Sequence, residues 1–271
     1  MIKVSHEVPL CLLEDSLEFN DYQYCLPHLM DEYPQYKEHF MNYARNGGFV
    51  IMDNGLFEGV NHTEQDLIQK INLIKPDVFV VPDAWNDMIT TYRNAKYWME
   101  TAKLFLPKNT ELMAVLQFKD YGEAMSLYSR LCDLGYKYIA FNHSSVGYQT
   151  LFPHKNTLVS QMMGRILLIN KLLESNVIWE TKHHHLLGCS LPEEFQYYQG
   201  YDFIKTLDTS HPIILSYEKL CYTERDSYIK SSTKIIDVME EPYGEFSMWV
   251  NANVDLFKKY VNGKNSFKSP H

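Results

Sequence analysis

Five polar residues close short apolar runs in this chain of 271 residues. Asp53 follows Phe49-Val-Ile-Met, Asp83 follows Val78-Phe-Val-Val-Pro, and Gln117 follows Leu112-Met-Ala-Val-Leu. Asn142 follows Tyr138-Ile-Ala-Phe, and Asp208 follows Phe203-Ile-Lys-Thr-Leu. Three of the five are carboxylates, and two carboxylates in unlike surroundings can hold different protonation states at neutral pH. Such a pair suits chemistry at a glycosidic bond, one group attacking or stabilising and the other moving a proton. Taken singly, each of the five also fits a turn or a helix cap, because Asp and Asn favour both. Five in the same position relative to an apolar run favour one shared polar pocket.

The elements that would gather them are legible from periodicity. Runs of four to six apolar residues, rich in Val, Ile and Phe, suit strands buried on both faces of a parallel sheet. Besides the five above, His185-Leu-Leu-Gly188 reads as a strand and residues 213–216 as a further one. Helical spacing fills the intervals. Thr63-Glu-Gln-Asp66 opens one helix as a capping sequence, with Leu67, Ile68, Ile71 and Ile74 on its apolar stripe. Residues 90–106, 121–134, 159–173 and 193–201 read as others, and Gly135 stops the second of these. Strand–helix alternation seven or eight times in this length predicts a single (β/α)8 TIM-type barrel, whose active site lies at the C-terminal strand ends. A doubly wound open sheet is the alternative, weakened because no Gly-rich phosphate loop follows a strand. No repeat or linker divides the chain, so residues 1–271 read as one domain, with its core over 49–216 and a C-terminal extension over 217–271.

Composition narrows the class. Hydrophobic residues make up 45% and charged residues 22%, the balance of a globular protein. No apolar run approaches the roughly 18 residues of a membrane span. The opening Met1-Ile-Lys-Val-Ser-His-Glu7 lacks the basic-then-apolar layout of a secretory signal, so a cytoplasmic location is expected. Five cysteines, odd in number and never in a CxxC pair, imply neither a disulfide framework nor a zinc ribbon. The net charge of −9 sits within residues 1–66, which hold twelve acids and three bases. An acidic total argues against a generic nucleic-acid coat but allows an enzyme with a local basic track.

The residues at the strand ends carry a resemblance. Asp53-Asn-Gly-Leu-Phe57 looks like the Asp-Ser-Gly-Gly-Phe/Tyr segment of the tRNA-guanine transglycosylase superfamily. Ala114-Val-Leu-Gln117 resembles that family's strand ending in a base-reading glutamine, and Ala140-Phe-Asn-His-Ser-Ser-Val-Gly147 aligns with its Ala-Ile-Gly-Gly-Leu-Ala-Val-Gly stretch. His185-Leu-Leu-Gly-Cys-Ser-Leu-Pro-Glu-Glu194 is similar to Tyr-Leu-Met-Gly-Val-Gly-Lys-Pro-Asp-Asp, and Asp208 follows Gly188 at close to the family's spacing. The ordered set spans residues 49–212. With Val4-Ser-His-Glu-Val-Pro-Leu10 it looks most like the compact phage-type branch that inserts 7-deazaguanines into DNA.

That resemblance implies base exchange. Asp208 would attack C1′ of the target nucleoside to form a covalent glycosyl intermediate, and Asp53 would protonate the departing guanine and deprotonate the incoming base. Asp83 would accept from guanine N1–H and the exocyclic amine, and Gln117 would donate to O6. Phe57 and Leu187 would sandwich the base, with Asn142, His143 and Gly188 completing its pocket; ordinary core packing is the other reading of Leu187. The implied partners are DNA in preference to tRNA and a 7-deazaguanine base, with no cofactor and no membrane.

The chain also departs from the family. Asn142-His143 replaces Gly-Gly, altering the backbone approach to the base. Tyr148 replaces a glutamate that recognises an aminomethyl group, favouring a neutral substituent such as the 7-cyano form. After Asp208 only Cys221 remains, so the family's zinc element is expected to be absent. Neighbouring His183, His184 and His185 alternate faces on a strand and cannot converge on one ion. His143 and His211 flank the expected pocket, where contacts to phosphate or ribose compete with turn and cap roles. Two lysine-containing clusters could track a polymer: Lys219, Arg225, Lys230 and Lys234, and the tail's Lys258, Lys259, Lys264 and Lys268. The first is expected beside the active-site face; a solvated surface and a frayed tail are the alternative. A tRNA-directed enzyme, a barrel glycoside hydrolase and an inactive nucleic-acid-binding barrel stay open as rival readings.

Overall fold

The apolar runs become the strands of one parallel sheet. A computed structural model of the chain describes residues 1–56, 59–60, 62–222, 229, 231–242, 244 and 246–263. Its strands are β1 (Lys3–His6), β2 (Gln23–Cys25), β3 (Val50–Met52), β4 (Val78–Val80), β5 (Glu111–Leu116), β6 (Tyr138–Phe141), β7 (His183–Leu186) and β8 (Ile204–Thr209). They lie in the order β1-β8-β7-β6-β5-β4-β3-β2, every ladder parallel. With helices between them they form a (β/α)8 TIM-type barrel.

The seam between β1 and β2 is closed by side chains as well as backbone. The Asp21 N–H donates to the Val4 carbonyl at 2.8 Å, and the Val4 N–H donates back to Asp21 Oδ2 at 2.8 Å. One step further up, the Tyr24 N–H donates to Ser5 Oγ at 3.0 Å. These bonds satisfy backbone donors that a regular ladder would otherwise serve.

Capping explains several of the helices. Thr63 caps Glu64–Ile74 by accepting from the Asp66 N–H, as its sequence predicts. Asp120 caps Tyr121–Asp133 in the same way, and Gly135 beyond its end has φ +88°, a left-handed conformation that favours glycine. Asn156 caps Thr157–Glu174 through two backbone N–H groups. The stretch over 90–106 divides into a helix Met88–Glu100 and a 3-10 turn Ala102–Phe105, and that over 193–201 into a 3-10 turn Pro192–Tyr197.

One strand expectation fails. Residues 213–216 lie inside the helix His211–Tyr217, with Pro212 in its first turn. Four apolar residues fit a buried helix as well as a strand, and the proline at the helix start was the deciding feature. The extension beyond residue 216 returns to the barrel. Its helix Ser247–Val261 places Asn253 so that Nδ2 donates to Ser216 Oγ (3.0 Å) and the Leu220 carbonyl (2.9 Å), while Oδ1 accepts from the Tyr222 N–H. Among the described residues no helix is long and apolar enough to cross a membrane.

Candidate active site

A cavity of about 400 Å³ opens at the C-terminal strand ends. It is lined by Asp53, Asp83, Gln117, Asn142, His143, Leu187, Gly188 and Asp208, so eight of the nine residues singled out from sequence meet there. The ninth, Phe57, lies outside the described residues. His211 also lines the cavity.

One wall is a chain of amides and a carboxylate in fixed orientation. The Asn86 backbone N–H can only donate, and it reaches Gln117 Oε1 at 3.1 Å. This sets the Gln117 amide so that Nε2 donates to Asp83 Oδ2 at 2.7 Å. The other Asp83 oxygen accepts from Asn54 Nδ2 at 2.8 Å. Asn142 Nδ2 also donates to Gln117 Oε1, at 3.0 Å, which turns Asn142 Oδ1 the other way. That oxygen is buried with no partner among the described residues. Burial pushes the Asp83 carboxyl up to about 6, and the negative Asp53 nearby adds to the shift, against the two amide hydrogen bonds. Asp83 is therefore an acceptor pair near neutrality and loses that character in mild acid.

Two further carboxylates line the same cavity. Asp53 Oδ1 accepts from the Tyr24 hydroxyl at 2.7 Å, and Oδ2 from the Gly55 N–H at 3.0 Å. Burial raises its carboxyl, and the charge of Asp208 raises it further, which suits a group that carries a proton. Asp208 Oδ1 lies 2.9 Å from His185 Nε2. The Gly188 N–H reaches both Asp208 oxygens at 3.2 Å. Gly188 has φ +60°, and a Cβ there would meet His143 Cβ at 3.0 Å, so only glycine brings this N–H under the carboxylate without strain.

Several functional positions escaped the sequence reading. Tyr24 sits on the three-residue strand β2, too short and too polar to register as an apolar run. His185 was weighed as a metal ligand rather than as a carboxylate partner. Its alternation with Asp208 across the β7–β8 ladder could have shown the pairing. Arg165, buried in the helix Thr157–Glu174, forms a bidentate pair with Glu194 at 2.7 Å for both bonds. Its remaining Nη1 donates to the Asn142 and Leu187 carbonyls at 3.3 and 3.0 Å, tying two cavity loops to one rigid group.

Other residues read from the sequence fall partly as expected and partly not. Tyr148 does not face the cavity: it is fully buried, and its hydroxyl donates to the Asn142 carbonyl at 3.0 Å. It supports the cavity loop from behind and cannot by itself read a substituent on a base. His183 and His185 point to Thr206, while His184 pairs with Tyr128 Oη at 2.8 Å on the helical side. Among the described residues no group of three His, Cys, Asp or Glu is placed to hold a metal ion. Lys234 lines the cavity, whereas Lys258 is not among the lining residues: it donates to the Phe19 carbonyl at 2.6 Å and pairs with Asp21. Lys219 lies over the Phe246 ring. Arg225, Lys230, Lys264 and Lys268 fall outside the described residues.

No protein-family model matches the chain, and no curated protein matches it.

Proposed function

We propose that the protein is a guanine transglycosylase that exchanges guanine in DNA for a 7-deazaguanine base through a covalent aspartyl-glycosyl intermediate. The observation that carries this reading is that one cavity gathers two sets of side chains of different chemistry. The Asp83–Gln117 set presents two carboxylate oxygens beside an amide that keeps a second N–H, a match for N1–H, the exocyclic amine and O6 of guanine. The other set is Asp53 and Asp208, one carboxyl raised by burial and the other fastened by His185 and Gly188. A glycoside hydrolase needs only this second set.

In this reading Asp208 attacks C1′ as the C1′–N9 bond breaks, and the departing guanine takes a proton from Asp53. The incoming base then attacks C1′ with loss of its N9 proton to Asp53, and the Asp208 ester breaks to regenerate the carboxylate. Guanine stacked in a duplex cannot present C1′ and its Watson–Crick edge together, so the substrate nucleotide is flipped or single-stranded. Tyr148, buried behind the cavity loop, offers no charge to a cationic substituent, and a neutral 7-substituent such as nitrile fits the reading.

Incubation with labelled guanine tests it, with single-stranded DNA, duplex DNA and tRNA offered separately. Label entering DNA supports the proposal, label entering only tRNA moves the substrate to RNA, and release of sugar from a glycan without label exchange would replace it with hydrolysis. Asp208→Asn should abolish exchange and the covalent adduct while the protein still folds; near-normal turnover would remove Asp208 as nucleophile.

A further inference from the structure

Asp208 is held by more than its backbone neighbour. His185 is fully buried, with Nε2 2.9 Å from Asp208 Oδ1 and Nδ1 2.8 Å from Thr206 Oγ1. The same hydroxyl lies 3.0 Å from His183 Nε2. The register slips between His184 and His185, Lys205 being the extra residue of β8, and this sets His185 level with Thr206. An ionised Asp208 only accepts, so His185 Nε2 must be the donor. The Thr206 hydroxyl then gives its proton to His185 Nδ1 and accepts from His183, so each contact in the row has one donor and one acceptor. His183 has its ring held well toward the neutral form, at about 3, by burial and by the neighbouring histidines.

The donor on Oδ1 leaves Oδ2 with only the Gly188 N–H it shares with Oδ1, among the described residues, so Oδ2 is the freer oxygen to form the ester. While Oδ2 is bonded to C1′, Oδ1 is a carbonyl oxygen and the His185 bond is an ordinary one. As the C1′–Oδ2 bond breaks, the electron pair returns to the carboxylate and the bond to Oδ1 becomes charge-assisted and stronger. We propose that His185, oriented by Thr206, makes Asp208 a leaving group, favouring release of the glycosyl–enzyme over its accumulation. This inference rests on the base-exchange reading. No proton leaves His185 in either step; it lowers the energy of the free carboxylate relative to the ester. Thr206 is a positioning residue, acting only through the imidazole.

The full-length protein is incubated with a guanine-containing single-stranded oligonucleotide and 7-cyano-7-deazaguanine, and both exchange and detergent-stable protein–DNA adduct are measured. His185→Phe keeps a flat ring against Tyr24 but removes the donor. Its ratio of adduct to free protein should rise roughly 10- to 100-fold, the range for losing a hydrogen bond to a charged group, while exchange slows. Thr206→Val should shift the ratio the same way by a smaller factor, and Thr206→Ser should restore it. A general disturbance of the site would lower adduct and exchange together, and that result overturns the inference. So does an unchanged ratio in both His185→Phe and Thr206→Val while the unsubstituted protein exchanges. If His185→Phe does not fold, the Val and Ser pair at position 206 decides alone. If the unsubstituted protein yields neither exchange nor adduct, the base-exchange reading falls and takes this inference with it.

Discussion

The rings of Tyr24 and His185 stack 5.8 Å apart and 7° from parallel, one bonded to Asp53 and the other to Asp208. The two carboxylates are thus positioned through one aromatic pair spanning from β2 to β7. Each ring fixes the other's plane, and each plane aims a hydrogen bond at one oxygen. A shift of either ring would move both carboxylates.

Tyr24→Phe keeps this stack and removes only the hydroxyl. The hydroxyl favours the ionised form of Asp53, so its loss should raise that carboxyl further above the ordinary range. Losing a hydrogen bond to a charged group costs about 1.5–3 kcal/mol, or roughly 10- to 100-fold in turnover. The pH–rate profile should also move to higher pH on the limb set by Asp53. A profile that stays in place while the rate falls would show that Tyr24 does not act through that carboxyl.

Asp83 predicts opposite pH trends for binding and for stability. With its carboxyl at about 6 in the folded protein, against 3.8 ordinarily, base binding should weaken as pH falls from 7 to 5. The folded state holds this proton more tightly than the unfolded chain does. Its contribution to stability is therefore full below the ordinary carboxylate value and is lost as pH rises through about 6. Binding should thus fall in a pH window where this group makes the fold no weaker. Asp83→Ala should weaken base binding by about 1–3 kcal/mol at pH 7.5 and flatten the pH dependence, since it leaves the Asn54 and Gln117 amides unpaired. Calorimetry showing the same pH dependence in the variant would assign the titration to another group.

How much of this was legible depended on strand length and on local hydrogen bonding. The runs before Asp53, Asp83, Gln117, Asn142 and Asp208 declared both the barrel and its polar face, because buried parallel strands are continuous apolar runs. β2 did not declare itself: Gln23 is buried by bonding Ser16 Oγ at 3.1 Å, so a core strand carries a polar residue and reads as loop. Tyr24 was lost with it. Residues 213–216 were misread because four apolar residues carry no period, and only Pro212 marks the helix start. Tyr148 was read from its alignment column alone, which gives no direction for a side chain packed behind the loop. The Arg165–Glu194 pair joins residues 29 apart through a buried bidentate contact, which no local pattern reveals.

Trp85 offers a test of how a polymer is held. Beside it, Asn86 has a left-handed φ of +51°, a conformation that Asn tolerates better than most residues, and is fixed by its N–H on Gln117 and its Oδ1 on Ser145 and Val146. The loop therefore presents Trp85, 45% exposed, at the cavity rim in a set position. Trp85→Ala should weaken binding of a single-stranded oligonucleotide by about 1–3 kcal/mol, the usual contribution of base–aromatic stacking, with Trp85→Phe retaining most of it. Affinity for the free base should not change. Equal oligonucleotide affinity in Trp85→Ala would take the strand away from this rim.

The charge distribution sets the last expectation. A polyanion approaching a protein of net charge −9 needs cations at the point of contact, and the carboxylates that line the cavity, Glu7, Asp53, Asp83 and Asp208, repel it further. Lys234 is exposed and borders the cavity beside Ser232, whose hydroxyl can donate to a phosphate oxygen, while the Ser231 and Thr233 hydroxyls donate to Glu218 Oε1. Lys258 is committed to the Phe19 carbonyl and Asp21 and does not line the cavity. Lys234→Ala should therefore weaken oligonucleotide binding regardless of base sequence and reduce the salt slope by about 0.7 for a single strand, the value for one lost phosphate contact. Lys258→Ala should leave that slope unchanged while lowering thermal stability, because its bonds tie the C-terminal helix to the barrel. Binding isotherms at several salt concentrations for the two variants decide between these positions. A slope altered by Lys258→Ala and not by Lys234→Ala would place the nucleic-acid track along the C-terminal helix and away from the Lys234 side of the cavity.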